Sequence, residues 1–207
     1  MRTHKPAFAV VAAMAAALVL VGCGDNGSRA EAAASAGPPS VTAPSQTSSF
    51  NEADVMFAQQ MIPHHQQAIQ MAQMAPSHAQ SPKVRQLAAR IGAAQAQEIK
   101  TMTSWLHAWG KPVPSGMPGM MSPMPGMMGS PSPGIVSQQE MSQLMAAHGA
   151  QFDRLLLQMM IRHHEGAVEM AKTEQARGLN PAAKKLAHQI ETSQTAEIAQ
   201  MQQMLEQ

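Results

Sequence analysis

Two adjacent histidines occur twice in this sequence, each time in the same company. Met61 stands three residues before His64-His65 and Met71 six residues after; Met160 and Met170 hold the same places around His163-His164. At 100° per residue, Met61, His64, His65, Ala68 and Met71 fall within a helical sector of roughly 120°. Asp54 shares that sector about two turns earlier. Met160, His163, His164, Ala167 and Met170 repeat the pattern, with Asp153 in front. Imidazole beside thioether is a soft nitrogen-and-sulfur donor set. Thioether is a poor ligand for zinc, magnesium or calcium and a good one for Cu(I). A methionine alone is as readily explained as filler for an irregular core. Paired histidines are not, because a buried imidazole needs partners. The expected ligands of a copper site, Cu(I) by preference, are therefore Met61, His64, His65, Met71, Met160, His163, His164 and Met170.

Further candidates lie outside the two motifs. Glu98 and Glu197, near Gln95 and Gln194, could pair with the histidines or bind metal, as could Asp54 and Asp153. Between Gly116 and Gly134, Met117, Met120, Met121, Met124, Met127 and Met128 are spaced by Gly, Pro and Ser. Proline and glycine oppose a packed helix there, so these thioethers are expected to be exposed and able to bind Cu(I) where thiols would oxidise. A drifted low-complexity linker is the alternative. Trp105 and Trp109, one turn apart, are expected to cap the core rather than contact a cation. An oxygen-activating di-iron bundle needs Glu-x-x-His pairs and several inward carboxylates. No Glu-x-x-His occurs, nor does a nucleophile with a base and an orienting partner, so no enzyme is expected.

The elements that must position these residues come from a duplication. Shifted by 99 positions, the sequence matches itself without a gap: Asp54, Gln59, Met61 and Ile62 meet Asp153, Gln158, Met160 and Ile161, and Glu98, Ile99, Met102 and Leu106 meet Glu197, Ile198, Met201 and Leu205. Each repeat reads as a helical hairpin. Asn51 caps a first helix running to about Ala75. Ser81-Pro82 opens the second with a capping hydroxyl and a proline that misses no donor; Asn180-Pro181 does the same in the second repeat. Ser137-Gln138-Gln139-Glu140 is a capping box for the third helix. Pro63, opposite Arg162, is expected to kink the first helix. Two hairpins with apolar stripes bury them best against each other, giving an all-α four-helix bundle with approximate two-fold symmetry. Repeat one covers 50–109, the Met-rich linker 110–136 and repeat two 137–207.

The N-terminus sets the compartment. Arg2 and Lys5 precede an uncharged apolar run, Ala7 to Val21, that ends in Leu20-Val21-Gly22-Cys23. The run is short for a membrane span and reads as a signal peptide over 1–22. The terminal tetrapeptide is a lipobox, so Cys23, the only cysteine, is the expected lipidation site and the anchor to the outer face of the cell membrane. Residues 23–49, rich in Ala, Ser, Pro and Gly, form a tether. About 155 residues remain, enough for one domain. With a net charge of +1 there is no electrostatic case for nucleic acid.

The segments Met61–Ala72 and Met160–Ala171, with Glu98-Ile99-x-x-Met102 and Glu197-Ile198-x-x-Met201, resemble the signature of the bacterial "domain of unknown function 305" family. The resemblance covers nearly all of the chain after the tether. It implies a ferritin-like exported domain, with copper binding as in some members and Met61, His64, His65, Met71, Met160, His163, His164 and Met170 as ligands. Met102 and Met201 are further candidates. The combined expectation is a copper-binding lipoprotein that sequesters Cu(I) or passes it to a copper exporter or cuproenzyme. Two alternatives stay open: an interaction module whose Met-rich loop docks a partner, and a metal-dependent redox enzyme.

Overall fold

The computed structural model describes residues 49–114 and 133–207. Five helices follow one another there: α1 (Glu52–His78), α2 (Pro82–Ala108), α3 (Gln138–Ala146), α4 (Gly149–Arg177) and α5 (Pro181–Leu205). α1 packs along α2, α4 packs along α5, and the two hairpins meet chiefly through α1 and α4. The all-α bundle of paired hairpins is the expected one. Cys23, the signal peptide, the tether and the six methionines from Met117 to Met128 lie outside the described residues.

Capping chemistry sets the helix starts. The Asn51 side chain accepts from the amides of Ala53 and Asp54, and the Asp54 carboxylate accepts from the Asn51 amide at 2.6 Å. Ser81 and Asn180 cap α2 and α5 ahead of their N1 prolines. α1 runs unbroken through Pro63 and Pro76.

The third helix departs from expectation. Its capping box forms, with Ser137 and Glu140 bonding reciprocally, but the helix ends at Ala146. Ala147 and His148 are extended, and Gly149 takes φ +61°. That left-handed backbone suits glycine and breaks a helix. The second hairpin is therefore α4 and α5, and α3 is a short brace laid against α1 and α4.

Two carboxylates staple the hairpins together. Asp54, on α1, accepts from the amides of Leu179 (3.2 Å) and Asn180 (2.9 Å) in the α4–α5 turn. Asp153, on α4, accepts from the amides of Gln80 (3.2 Å) and Ser81 (2.8 Å) in the α1–α2 turn. The two sets of residues are related by the 99-residue shift, so each hairpin completes the other's turn.

The apolar core falls into two clusters. One holds Met61, Met102 and Met170 with Phe57, Leu106 and Ile190; the other holds Met160, Met201 and Met71 with Leu87, Ile91 and Phe152. The methionine triads map onto each other under the same shift. Phe50 stacks on Trp109 at 4.8 Å and Trp109 on Trp105 at 6.0 Å, which closes one end of the first cluster.

Candidate metal centre

The histidine motifs face inward, and all four imidazoles are fully buried. Symmetry brings the two pairs into one layer. His64 and His163 meet face to face across the α1–α4 contact, with ring centroids 3.7 Å apart and planes at 36°. His65 and His164 lie on either side, each 6.4 Å from its neighbour in sequence. Each flanking ring is held from the second helix of its own hairpin. His65 Nε2 is 2.7 Å from Glu98 Oε2, and His164 Nε2 is 2.8 Å from Glu197 Oε2. A carboxylate accepts, so Nε2 carries the hydrogen in both rings and Nδ1 keeps its lone pair. His64 Nε2 is 3.1 Å from the Pro133 carbonyl oxygen, which fixes the same tautomer.

The buried Nδ1 atoms of His64, His65 and His164, and both ring nitrogens of His163, have no hydrogen-bond partner, nor do Gln95 Oε1 and Nε2 and Gln194 Oε1. Buried polar atoms are nearly always satisfied, and a run of exceptions asks for an unseen ion or water. Burial drives the His64 pKa down to about 3, with the nearby His65 and His164 adding to the shift and the Pro133 carbonyl opposing it. Burial and then the other three imidazoles hold His163 well below its ordinary value. Both rings are neutral at physiological pH, with lone pairs free to bind.

These features fit a soft, low-coordinate metal. The ring-nitrogen-to-carboxylate and ring-nitrogen-to-carbonyl bonds are the outer-shell contacts that metal-binding histidines make. Met61, Met71, Met102 and Met201 are fully buried and Met160 and Met170 nearly so. Among the described residues, no three His, Cys, Asp or Glu side chains converge as a ready cage for an ion. Any further donor in this interior would have to be a neutral one such as thioether, which Cu(I) accepts and Zn(II) does not favour.

Other expected residues are engaged elsewhere. Asp54 and Asp153 are occupied with backbone amides in the turns; ten residues separate Asp54 from His64, about 15 Å along the helix. Glu98 and Glu197 are the orienting partners of imidazoles. At the Asp54 end a second acid, Glu174, is buried without a partner among ordinary donors. Burial raises its pKa to about 8, helped by hydrogen bonding to Asp54 and by that group's charge, with Lys184 opposing. Burial also pushes Asp54 upward, but the Asn51 amide, Glu174, and the Asn180 and Leu179 amides together lower it. Glu174 is therefore the protonated member at neutral pH and donates to the Asp54 carboxylate.

A strap over the histidine layer was not foreseen from sequence. The Gln67 amide clips the backbone of Val136 twice, Nε2 to the carbonyl and Oε1 from the N–H, both at 2.8 Å. Gly134, at φ +77°, runs against α4 so closely that a Cβ on Gly166 would overlap the Pro133 carbonyl. The signal was present as a break in the duplication: Gln67 and Gly166 occupy matching positions with opposite chemistry.

The comparisons with known proteins agree with this architecture. A search of the curated proteins found no significant match. Among solved structures, a Streptomyces coelicolor DUF305 protein described as secreted is 36% identical, covers 74% of this chain and 91% of its own, and superposes with a TM-score of 0.66. CopM in its Cu(II)-bound form is 36% identical over 74% of this chain and 95% of its own, TM-score 0.61. CopM in its Cu(I)-bound form is 34% identical over the same shares, TM-score 0.60. The model of the domain of unknown function DUF305 matches residues 54–205, and the chain belongs to that family.

Proposed function

We propose that this protein is a non-enzymatic copper carrier working outside the cytoplasm, with Cu(I) as cargo in the buried histidine–methionine layer. The supporting observation is the set of orphaned ring nitrogens on the four buried histidines, in a bundle whose core also buries six methionines related by the duplication. His64, His65, His163 and His164 would supply nitrogen, and Met61, Met71, Met102, Met160, Met170 and Met201 sulfur. Glu98, Glu197 and the Pro133 carbonyl orient the rings. CopM, of the same fold, is seen with copper bound. The lipobox supports attachment through Cys23 to the membrane's outer face, within reach of a copper exporter or cuproenzyme. The methionines from Met117 to Met128 would add weaker Cu(I) capacity for capture and exchange.

The test is competition for Cu(I) against a chromogenic chelator. His163→Ala should abolish the tightest binding. Glu98→Gln and Glu197→Gln should each weaken it about 10- to 100-fold, as loss of an outer-shell partner does. Unchanged affinity in all three would overturn the buried centre. A Cys23→Ala variant that still fractionates with membranes would overturn the lipid anchor.

A further inference from the structure

A second pair of imidazoles lies at the end of the bundle where α1 gives way to α2. Ala79 and Gly149 form an isolated parallel backbone bridge. Parallel pairing keeps neighbouring residues in step, so the residues just before the bridge, His78 and His148, also lie side by side. Their rings stack with centroids 4.4 Å apart and planes within 7°. The ring of Phe152 backs His78 at 5.3 Å.

Nothing in the fold requires histidine here. Under the 99-residue shift His78 corresponds to Arg177 and His148 to Ser49, so the opposite end of the bundle closes without imidazoles. His148 is the N-cap of α4 and makes no side-chain capping bond, although Ser, Thr, Asp or Asn there would stabilise the helix start. A residue that forgoes a local stabilising contact invites another explanation.

The hydrogen bonding of His78 supplies one. Its Nδ1 is 3.1 Å from the Met74 carbonyl oxygen and 2.9 Å from Ser77 Oγ. A carbonyl accepts only, so Nδ1 carries the hydrogen and Nε2 the lone pair. Anchoring one ring nitrogen on a backbone carbonyl leaves the other prepared for a metal. His78 is half-buried and anchored at Nδ1, while His148 is exposed. Gln80 Oε1 lies beside Gly149, 3.6 Å from where a Cβ would stand, and offers an oxygen at the rim.

We propose that His78 and His148 form a second, solvent-facing site for a divalent transition-metal ion, with Cu(II) preferred. Imidazole suits Cu(II), Ni(II) and Zn(II), and Cu(II) ranks highest in affinity among them. Metal–nitrogen bonds of about 2.0–2.1 Å, as zinc shows, are too short for stacked rings to share an ion. The exposed His148 ring therefore turns toward His78 Nε2, and water or Gln80 completes the coordination. With imidazole and oxygen as its donors, the pair differs from the buried layer in preferred oxidation state. The site stands whether or not the buried layer holds copper.

The experiment titrates Cu(II) into the full-length protein and reads stoichiometry together with the nitrogen couplings of the paramagnetic resonance spectrum. His148→Ala should remove one equivalent with a two-nitrogen signature, and His78→Ala should do the same. His163→Ala, in the buried layer, should keep that equivalent. Identical stoichiometry and spectrum in wild type and His148→Ala would overturn the proposal. A measurement on the unaltered protein guards against misfolded variants: substoichiometric Cu(II) should broaden the His78 and His148 ring resonances before those of the exposed single histidines His107 and His188. Broadening spread evenly over all four would equally overturn it.

Discussion

The two halves of the duplication agree where the helices face each other and disagree where the chain passes between them. His65–Glu98 and His164–Glu197 match to 0.1 Å, at 2.7 and 2.8 Å. The Asp54 and Asp153 staples and the methionine triads also correspond. Gln67 and Gly166 do not: one grips the strap at Val136 and the other makes room for it at Pro133. Ala75 and Glu174 differ as well, and so do Pro63 and Arg162, the latter ion-paired with Glu140 on α3. A single connecting segment cannot obey a two-fold axis. Some positions it touches diverge, as Gln67 and Gly166 do, while His64 and His163, which it also meets, stay alike.

The staples should give the largest effect when broken. Asp54→Ala strands the Asn51, Leu179 and Asn180 amides in a buried setting and should cost about 3 kcal/mol. That corresponds to a melting temperature lower by roughly 10 °C. Asp153 is less buried and serves two amides, so Asp153→Ala should cost about 2 kcal/mol. Calorimetry on both variants checks the order, and equal or negligible losses would show that the turns close without their partner's carboxylate.

The strap comes next. Gly166→Ala places a methyl against the Pro133 carbonyl and should cost about 2 kcal/mol, as overpacking does. It should also speed hydrogen exchange at the Val136 amide. Gly92→Ala is the contrasting case. Its new Cβ would meet only Ala72 Cβ, at an ordinary 3.8 Å, and a helical Gly→Ala change should raise stability by about 0.5–1 kcal/mol. Loss of stability in both, or in neither, would contradict the placement of the strap.

The pH dependence again separates the halves, since Ala75 leaves repeat one without a counterpart to Glu174. Glu174 binds its proton in the folded state up to about pH 8, whereas the unfolded chain releases it near the ordinary carboxylate value. The folded state therefore holds the extra proton, and stability falls as pH rises through that window. Below about pH 6.5 the neutral buried imidazoles act oppositely, because the unfolded chain binds the additional protons there. From pH 6.5 to 8 the wild type should lose stability with a slope of at most about 1.4 kcal/mol per pH unit. Glu174→Gln, whose amide still donates to Asp54, should be flat over the same range. Parallel melting curves for the two proteins would place the proton elsewhere.

Much of this arrangement was legible from local rules. The caps at Asn51, Ser81, Ser137 and Asn180 depend on short-range chemistry, and the 99-residue match fixed which residues must face alike. The inward turn of the histidines followed from helical periodicity. The break at Ala147–Gly149 was missed because a single glycine at a left-handed φ leaves little trace in a polar, alanine-rich stretch. Asp54 and Asp153 shared the face of the histidines, so periodicity offered them as ligands, but it does not say how far along the axis a residue acts. The His64–His163 contact and the Pro133 contact depend on how two hairpins dock, which no window of sequence encodes.

The exchanged staples bear on how the protein is held together in time. Neither hairpin carries the carboxylate that closes its own turn, so each half alone leaves a row of amides unanswered. The connection between α2 and α3 contributes proximity as well as the strap that bonds His64 and Gln67. Cut there, the two fragments should remain a complex, because each supplies a carboxylate that the other's turn lacks. The bundle behaves as a symmetric dimer written on one chain, and whichever hairpin forms first must wait for its twin before it is finished.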